Sequence, residues 1–360
     1  MRAAVMRNSK IVVDDVAEPV PGDGEVLVRT LACGICGSDL HALEYTAEFV
    51  RAGREMGASA PLDASRDVIM GHEFAAEILD YGPGTSRSSP IGTTVCSLPI
   101  VLRAGGIETI GYSNMLPGGY GERMVLSEGF LLPVPNGLDA CHAALTEPMA
   151  VGLHAVEKAR LEPNDVPLVI GCGPVGLAVV ASLKMKGASP IVAADFSATR
   201  RALAQRLGAD VVIDPGAESP YQRWRELAVV DDPSRAVDPL AAMLGMPLLR
   251  RAVIFECVGV RGMLKQIMKA APKLARVVVV GVCMQSDEIE PLHGIGRELE
   301  LQFVLAYTPV EFGMTLYNIA EGKLDVGPLI TGKIPIDGVP NAFSELKSPD
   351  RHAKIVVVPA

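Results

Sequence analysis

The chain has 360 residues, of which 49% are hydrophobic and 21% charged, and its net charge is −9 at pH 7. A chain of this length is expected to form two domains, and its composition is that of a folded globular protein rather than a disordered one. The negative net charge argues against nucleic-acid partners and against an anionic membrane surface.

The N-terminal sequence MRAAVMRNSK lacks the apolar core of a signal peptide. The stretch 166–183 is uncharged and mostly apolar, but Gly171-Cys172-Gly173-Pro174 interrupts it, so we interpret it as a buried strand, a turn and a helix. The 7 cysteines lie mostly in apolar runs of a chain too long to be a small disulfide scaffold. These features predict a cytoplasmic protein with reduced thiols and no membrane partner.

The first 150 residues combine many glycines and prolines with short β-like runs, for example at 3–5, 25–29 and 93–96. Turn-forming sequences such as Pro21-Gly22-Asp23-Gly24 separate these runs. This part of the chain is predicted to be an irregular, mostly β domain.

From residue 166 onward, strand-like and helix-like segments alternate. The apolar strand-like runs lie at 168–170, 191–194, 211–213, 253–255, 277–280 and 301–305, and helix-like segments include 198–207 and 263–270. Unbroken apolar runs are typical of buried parallel strands, so we predict a doubly wound α/β sheet. The tail adds a helix near 312–320 and a final strand at 354–358, which could rejoin the first domain.

The sequence Gly171-Cys172-Gly173-Pro174-Val175-Gly176 fits the dinucleotide-binding pattern G-x-G-x-x-G between a strand and a helix. Gly171 permits the tight turn, Gly173 lets a pyrophosphate approach the backbone, and Gly176 lets helix and strand pack closely. The phosphates would then lie at a helix N-terminus, which favours anions, so Pro174 and Val175 are also predicted cofactor contacts.

Asp195 ends the second strand of this unit, where an acidic group can bond the hydroxyls of the adenine ribose. Its carboxylate would repel a 2′-phosphate, which favours NAD over NADP. Arg200 and Arg201 lie close by and weaken this argument. We interpret the two arginines as a solvated helix face, with Arg200 as a candidate cofactor contact.

Candidate metal ligands lie upstream, in Cys36-Gly37-Ser38-Asp39-Leu40-His41 and Gly71-His72-Glu73. Thiolate and imidazole are usual zinc ligands, and a catalytic zinc keeps three protein ligands and one exchangeable position. Taken alone, Cys36 and His72 are weak indications, because buried thiols and core histidines are common. Glu147 is an acidic candidate in an apolar stretch, where a carboxylate needs a partner.

These motifs follow in the order G-x-C-x-S-D-x-H, G-H-E, E-P-M-A-V-x-x-H-A, G-x-G-x-x-G and D-x-S-A-T-R. In that order they resemble the zinc-dependent medium-chain dehydrogenase/reductases, nearest the sorbitol and butanediol dehydrogenase branch. The resemblance runs nearly end to end and includes Phe255-Glu256-Cys257-Val258-Gly259 and residues 328–333. The combined order is highly specific, although each motif alone is not.

The resemblance implies an α/β protein with a GroES-like β catalytic domain and a Rossmann domain containing a doubly wound parallel sheet. The expected boundaries are 1–151 for the first domain and 152–306 for the second, with 307–360 returning to the first. The implied cofactors are Zn²⁺ and NAD, the implied substrate is a small alcohol or ketone, and the implied assembly is a homodimer or homotetramer.

By the same resemblance, Cys36 and His72 are zinc ligands, and Glu73 either binds zinc or lies just behind it. Glu147 binds zinc directly or through its water. Asp39 orients the histidine ligand, a role with its own physical logic because the second ring nitrogen of a metal-bound histidine needs a partner.

Ser38 and His41 match the family's proton relay, which carries the alcohol proton away while the carbon hydride passes to nicotinamide. The predicted function is therefore that of an alcohol or polyol dehydrogenase. A metal-free reductase of activated alkenes would not need the full set of Cys36, His72 and Glu147. A catalytically inactive NAD-binding protein would not need the relay pair.

Many family members hold a second, structural zinc with four closely spaced cysteines. The corresponding stretch, 97–120, contains no cysteine, so we expect one catalytic zinc per chain. Cys33 and Cys36 form a C-x-x-C pair, but the resemblance assigns only Cys36 to the metal. Their glycine-rich context does not favour a thioredoxin-like redox site.

Residues 42–70 separate the two halves of the metal site by a connection that is long for this family. A long connection inside a compact domain is usually functional or mobile. We predict either a cover over the substrate pocket or a surface loop or oligomer contact, and the sequence favours neither.

Overall fold

The computed structural model describes residues 1–57, 62–103 and 105–359. The part of the 42–70 connection at 58–61 lies outside the described residues. The chain divides into two compact units, one formed by Met1–Pro148 with Phe312–Ala360 and the other by Met149–Glu311. Within the described residues, none of the helices has the length and apolar character needed to cross a membrane.

The N-terminal part of the first unit contains the short strands that its β-like runs predict. Its strands are β1 Arg2–Arg7, β2 Lys10–Asp15, β3 Glu25–Gly34, β4 Val68–Ile69, β5 Glu73–Tyr81, β6 Thr94–Ser97, β7 Ile100–Arg103, β8 Gly106–Thr109, β9 Arg123–Ser127 and β10 Leu131–Pro133. The helices up to the second unit are α1 Gly37–Glu44, α2 Thr46–Glu55, α3 Ala140–Ala144 and α4 Thr146–Lys158.

The second unit alternates strands and helices, as the spacing of its apolar runs predicts. Its strands are β11 Val166–Ile170, β12 Val192–Ala194, β13 Val211–Ile213, β14 Ala252–Glu256, β15 Arg276–Val279 and β16 Glu300–Phe303. Its helices are α5 Pro174–Met185, α6 Ala198–Arg206, α7 Pro220–Ala228, α8 Pro239–Met243, α9 Met263–Ala270 and α10 Pro291–Arg297.

The C-terminal residues form α11 Pro309–Ala320, β17 Ile330–Ile334, α12 Val339–Glu345 and β18 Lys354–Val357. β18 pairs antiparallel with the end of β3, where Val356 lies opposite Gly34 and Val357 opposite Cys33. The largest sheet of the first unit therefore runs β10-β6-β5-β3-β18-β17, and β9 also pairs with β3. As a result, the last strand lies directly beside the backbone that leads to Cys36.

The core of the first unit contains alternate residues of β3 and β5, whose side chains point to the same side of the sheet. Val26, Val28, Phe74 and Ile78 are all buried in one cluster, which Ile355 from β18 joins. Burying one such side chain contributes about 1.5–3 kcal/mol relative to leaving it exposed. These contacts pack β3 and β5, the strands next to the candidate ligands, into one core.

The sheet of the second unit has the order β13-β12-β11-β14-β15-β16, and every pair is parallel. The predicted doubly wound sheet is confirmed. The strand order reverses between β11 and β14, and ligands of such sheets bind outside the carboxyl ends of the strands at this point. The glycine-rich turn follows β11 directly.

Trp224 on α7 is the one tryptophan in the sequence, and it is buried in the core of the second unit. Its indole Nε1 donates a hydrogen bond to the carbonyl oxygen of Val166 at 2.9 Å. A buried indole requires such an acceptor, because an unpaired N–H would cost free energy. The ring thus joins α7 to the first residue of β11.

Candidate metal centre and cofactor crevice

Cys36 lies at the junction between β3 and α1, in the N-cap position of the helix. Its backbone N–H donates to Asp39 Oδ2 at 3.1 Å, three residues into the helix. This is the arrangement of a capping box, which satisfies a backbone donor that the first helical turn leaves free. The local sequence therefore fixes both the thiol and the carboxylate.

Asp39 is fully buried and accepts hydrogen bonds from side chains on other segments. The Tyr120 hydroxyl donates to Oδ2 at 2.5 Å, the Tyr112 hydroxyl lies 3.0 Å from Oδ1, and His72 Nδ1 lies 3.3 Å from Oδ1. Burial opposes the charged form, but His72 and these donors outweigh it and hold the pKa of Asp39 below its ordinary value. With Nδ1 facing Asp39, Nε2 of His72 is left for a metal.

Cys36, His72 and Glu73 form one cluster, in which a ligand atom from each lies within 4.8 Å of the other two. One sulfur, one nitrogen and one oxygen donor make a set that suits zinc with one position left open. The structure thus brings together three of the four predicted ligands. Glu147 is buried, but among the described residues it does not belong to this cluster.

Glu73 forms a buried ion pair with Lys354, the first residue of β18. Lys354 Nζ lies 2.7 Å from both carboxylate oxygens of Glu73, and it also donates to the carbonyl oxygen of Ile35 at 3.0 Å. Burial opposes the charged ammonium, but the Glu73 carboxylate outweighs it and keeps the pKa of Lys354 above its ordinary value. Glu147 contributes to the same effect, so both acidic candidates lie near this lysine.

Ser38 and His41 lie one turn apart on α1. Ser38 Oγ lies 3.1 Å from Cys36 Sγ and 2.8 Å from the Tyr112 hydroxyl. Nδ1 of His41 is buried and has no hydrogen-bond partner among the described residues. Burial lowers the pKa of His41, which favours the neutral ring at neutral pH.

A row of aromatic rings leads from the metal cluster to α2. The rings of His72 and Tyr112 have centroids 5.2 Å apart, and those of Tyr112 and Phe49 are 5.0 Å apart. Phe49 lies on α2, inside the long connection between the ligands, and is half-buried against the core of the first unit. The described part of this connection thus includes a helix that contacts Tyr112, and Tyr112 in turn contacts the candidate ligand His72.

The sequence analysis missed Tyr112, Tyr120 and Lys354. A lysine inside the apolar run 353–358 is a signal for a buried ion pair, because lysine is almost never fully buried without a partner. No comparable signal exists for the two tyrosines, since tyrosine is common at half-buried positions. Their roles depend on contacts with residues more than 70 positions away.

All seven cysteines are free thiols. Cys33, the partner of Cys36 in the C-x-x-C pair, is fully buried. Burial, together with the nearby Asp39 and Glu73 carboxylates, raises the pKa of Cys33 well above its ordinary value. Since the thiolate is the reactive form, Cys33 lacks the character of a redox cysteine.

The glycine-rich turn has the geometry that its sequence predicts. Gly171 has a φ of +90°, and α5 begins at Pro174 with Gly173 in the N-cap position. A Cβ on Gly171 would lie 2.7 Å from Val258 Cγ2, and one on Gly176 would collide with the carbonyl oxygen of Gly171. Side chains are therefore excluded at both positions, and the free N–H groups of α5 face the carboxyl edge of the sheet.

Asp195 lies between this turn and α6. Its Oδ2 accepts from Cys172 N at 2.7 Å and its Oδ1 accepts from Ser197 N at 2.8 Å. Backbone donors thus fix the carboxylate beside the turn, where the sequence predicted the acid that binds ribose. Each oxygen keeps a second lone pair for a hydroxyl group.

The interpretation of Arg200 and Arg201 as a solvated helix face is wrong. Arg201 donates to the carbonyl oxygens of Asp195 and Phe196, both at 2.8 Å, and lies 3.2 Å from Asp214. Arg200 is half-buried, and its Nε has no hydrogen-bond partner among the described residues. A guanidinium nitrogen of Arg200 lies 3.8 Å from the Cβ position of Gly173, so this cation is directed towards the turn.

Comparisons with known proteins agree with this geometry. The family model described as "Alcohol dehydrogenase GroES-like domain" matches residues 22–136, and that described as "Zinc-binding dehydrogenase" matches residues 174–320. Over 369 residues the chain is 30% identical to (R,R)-butanediol dehydrogenase of Bacillus subtilis (strain 168), covering 100% of both proteins. It is 27% identical over 344 residues to sorbitol dehydrogenase of Homo sapiens, covering 91% of this chain and 87% of that protein.

Among solved structures, the chain is similar to a zinc-binding dehydrogenase from Sinorhizobium meliloti 1021 bound to NADP. The TM-score is 0.77, the sequence identity is 25%, and the match covers 99% of each chain. The chain therefore belongs to the zinc-dependent medium-chain dehydrogenase/reductases, in the branch that includes the sorbitol and butanediol dehydrogenases.

Within that family it is a zinc-type alcohol/polyol dehydrogenase, an oxidoreductase that works with a nicotinamide cofactor. The family and the fold class that the motifs predict are both confirmed. The comparisons give no support to a metal-free reductase or to an inactive NAD-binding protein.

The ion pair between Glu73 and Lys354 predicts a characteristic pattern of stability. Lys354→Met leaves a buried carboxylate without its cation, so we expect the free energy of unfolding of the metal-free protein to fall by about 3–5 kcal/mol. Glu73→Gln/Lys354→Met removes both charges and should recover most of this loss. Urea denaturation followed by circular dichroism measures both variants. Equal stability of the single and double variants would show that the pair is not coupled.

Proposed function

We propose that this chain oxidises a secondary alcohol or diol to the corresponding ketone with NAD, and catalyses the reverse reduction. The observation that carries the proposal is the cluster of Cys36, His72 and Glu73 in a chain that also has a glycine-rich dinucleotide turn. The names of the butanediol and sorbitol dehydrogenase relatives support substrates with a secondary hydroxyl group.

The residues at the cluster fit one zinc ion, with Cys36 and His72 as ligands and Glu73 as the carboxylate in reach. When bound, zinc supplies a Lewis acid that lowers the pKa of an alcohol hydroxyl. Asp39 holds the His72 ring in the orientation that directs Nε2 to the metal. Lys354 compensates the charge of the Glu73 carboxylate.

Ser38 and His41 are proposed to move the alcohol proton away from the site. The contact of Ser38 Oγ with the Tyr112 hydroxyl fixes the serine beside Cys36. His41, with a pKa lowered by burial, is neutral at neutral pH and can accept the proton on its buried nitrogen. A cofactor ribose hydroxyl would connect the two groups, and Nδ1 of His41 has no hydrogen-bond partner among the described residues.

NAD is the proposed cofactor, because two backbone donors fix the Asp195 carboxylate beside the glycine-rich turn, where its charge would repel a 2′-phosphate. Arg200 is proposed to contact the pyrophosphate from the side of Gly173. The immobilised Arg201 has its donors directed at backbone carbonyls and at Asp214, which supports a structural role for it.

A homodimer or homotetramer is also proposed. β16 is an edge strand of the second unit's sheet; Phe303 at its end and Leu305 just beyond it are 63% and 78% exposed. Exposed apolar side chains beside an unpaired strand edge favour a protein partner. Light scattering on the purified protein measures the assembly, and a monomer would refute it.

The seven free thiols support a cytoplasmic location.

We predict one zinc per chain. Elemental analysis of freshly purified protein measures it, and NADH formation with a panel of secondary alcohols and diols tests the activity. Glu73→Gln and Glu147→Gln identify the carboxylate ligand: we expect zinc affinity to fall at least about tenfold in the first and less in the second. Two zinc ions per chain would contradict the single-site proposal. A protein without zinc after metal-supplemented expression would contradict the metal centre itself.

We predict a preference for NAD over NADP in kcat/KM. Asp195→Ala should reduce this preference by about tenfold or more, because repulsion between two nearby charges is worth on the order of 1–2 kcal/mol at a partly exposed site. The exposed Asp231 offers a matched control, since Asp231→Ala removes the same charge from the same unit. A wild-type protein that prefers NADP would mean that Arg200 outweighs Asp195.

We predict that α2 forms part of the substrate pocket. Phe49→Ala removes the ring packed against Tyr112, so larger alcohols should gain about tenfold in kcat/KM relative to small ones. Met56→Ala is the control, because Met56 lies at the C-cap position directly after α2 and is 76% exposed. Zinc content and cofactor affinity should stay at wild-type values in both variants. If the relative kcat/KM values of the substrates are unchanged in Phe49→Ala, α2 is a surface element and not part of the substrate pocket.

A further inference from the structure

The segment Phe255-Glu256-Cys257-Val258-Gly259 belongs neither to the glycine-rich turn nor to the metal cluster. Glu256 is the last residue of β14 and is 3% exposed. Burial raises the pKa of this carboxyl, and the groups that favour its charged form are backbone N–H groups of Gly259, Val258 and Gly281. Burying an acid that is held by backbone donors instead of a cation is costly. The presence of Glu256 at this position therefore calls for a structural or functional reason.

Glu256 holds the loop that follows β14. Its Oε1 accepts from Val258 N at 2.8 Å and from Gly259 N at 2.9 Å. Its own carbonyl oxygen accepts from Val280 N and Gly281 N, both at 2.9 Å, at the end of β15. One residue therefore ties together the loops at the carboxyl ends of two neighbouring strands.

The two loops approach each other closely around the carboxylate. Gly259 has a φ of +68°, and a Cβ there would lie 2.7 Å from Val282 N. A Cβ on Gly281 would lie 2.8 Å from Glu256 Oε2 and would collide with Gly259 N. This close packing leaves the loop after β14 one conformation. The hydrogen bonds to the Glu256 carboxylate stabilise that conformation.

The same loop packs against the glycine-rich turn. The Cβ position of Gly171 lies 2.7 Å from Val258 Cγ2 and 3.2 Å from the carbonyl carbon of Cys257. The Cβ position of Gly176 lies 3.4 Å from Cys257 Cβ. Cys257 and Val258 are therefore the immediate neighbours of the turn across the point where the strand order reverses.

A doubly wound sheet binds a dinucleotide with two mononucleotide-binding halves. By this principle β11 and β12 with Asp195 would form the half for the adenosine, and β14 to β16 would form the half for the nicotinamide. The loop held by Glu256 lies at the carboxyl end of β14, the first strand of that second half, and packs against the turn.

We propose that Glu256 is a positioning residue for the nicotinamide half of the cofactor, acting through the backbone of residues 257–259. The inference rests on the proposed dinucleotide site. Without the carboxylate, the loop has several positions, and the affinity for NADH falls with the fraction of molecules in the binding position. The adenosine half, bound by Asp195 and the turn, is affected much less.

The test compares NADH with ADP-ribose, which lacks the nicotinamide, by isothermal titration calorimetry. For Glu256→Ala we expect NADH to bind about tenfold more weakly and ADP-ribose to stay within about threefold of wild type. Glu256→Gln keeps one oxygen for Val258 N and Gly259 N, so it should restore part of the NADH affinity. The matched control is Glu226→Gln, a substitution in an exposed ion pair with Arg223 on α7.

Equal weakening of both ligands in Glu256→Ala, or no weakening of NADH, would overturn the proposal. If Glu256→Ala does not fold, Glu256→Gln is the test variant. A selective loss of NADH affinity in this variant supports the role, and an equal loss of affinity for NADH and ADP-ribose refutes it. A wild-type protein that binds neither ligand would instead refute the proposed function. Zinc content, measured on each variant, should not change.

Discussion

One buried ion pair, between Glu73 at the start of β5 and Lys354 at the start of β18, constrains how the C-terminal strand packs in the first unit. The two residues are 281 positions apart, and both side chains are almost completely buried. Separating such charges in a low-dielectric interior is costly, so the C-terminal strand has one favourable position, against β3. In that position the Lys354 ammonium also donates a hydrogen bond to the carbonyl oxygen of Ile35, the residue before Cys36. The C-terminal strand therefore contributes a residue that contacts the candidate metal cluster.

Much of the second unit could be predicted from local sequence. Its strands are continuous apolar runs, and the turn requires Gly171 and Gly176 because a Cβ there would collide with neighbouring atoms. Such requirements act over a few residues and leave a direct trace in the sequence. The β-like runs of the first unit were predicted for the same reason. The helices α1 and α2 were not predicted, because neither has a long apolar periodicity and α2 has no fully buried residue.

The parts of the site that could not be predicted depend on long-range contacts. Tyr112 and Tyr120 reach Asp39 from segments 73 and 81 residues away. Lys354 and Arg201 carry charges that a local view assigns to solvent, yet each has several acceptors in the folded chain. Family resemblance identified the candidate ligand residues, whereas the groups that contact them became visible only in the structure. The packing of a tyrosine has no short sequence pattern.

The burial of Trp224 has a consequence for how this molecule can be observed. The chain has one tryptophan, and its indole is bonded to β11 in the unit that carries the dinucleotide turn. Emission excited at the red edge of the protein absorbance therefore arises from that unit alone. The unit with the candidate metal cluster contains no tryptophan and does not emit under this excitation. The fold thus contains an intrinsic optical label that separates the state of its nucleotide half from that of its metal half.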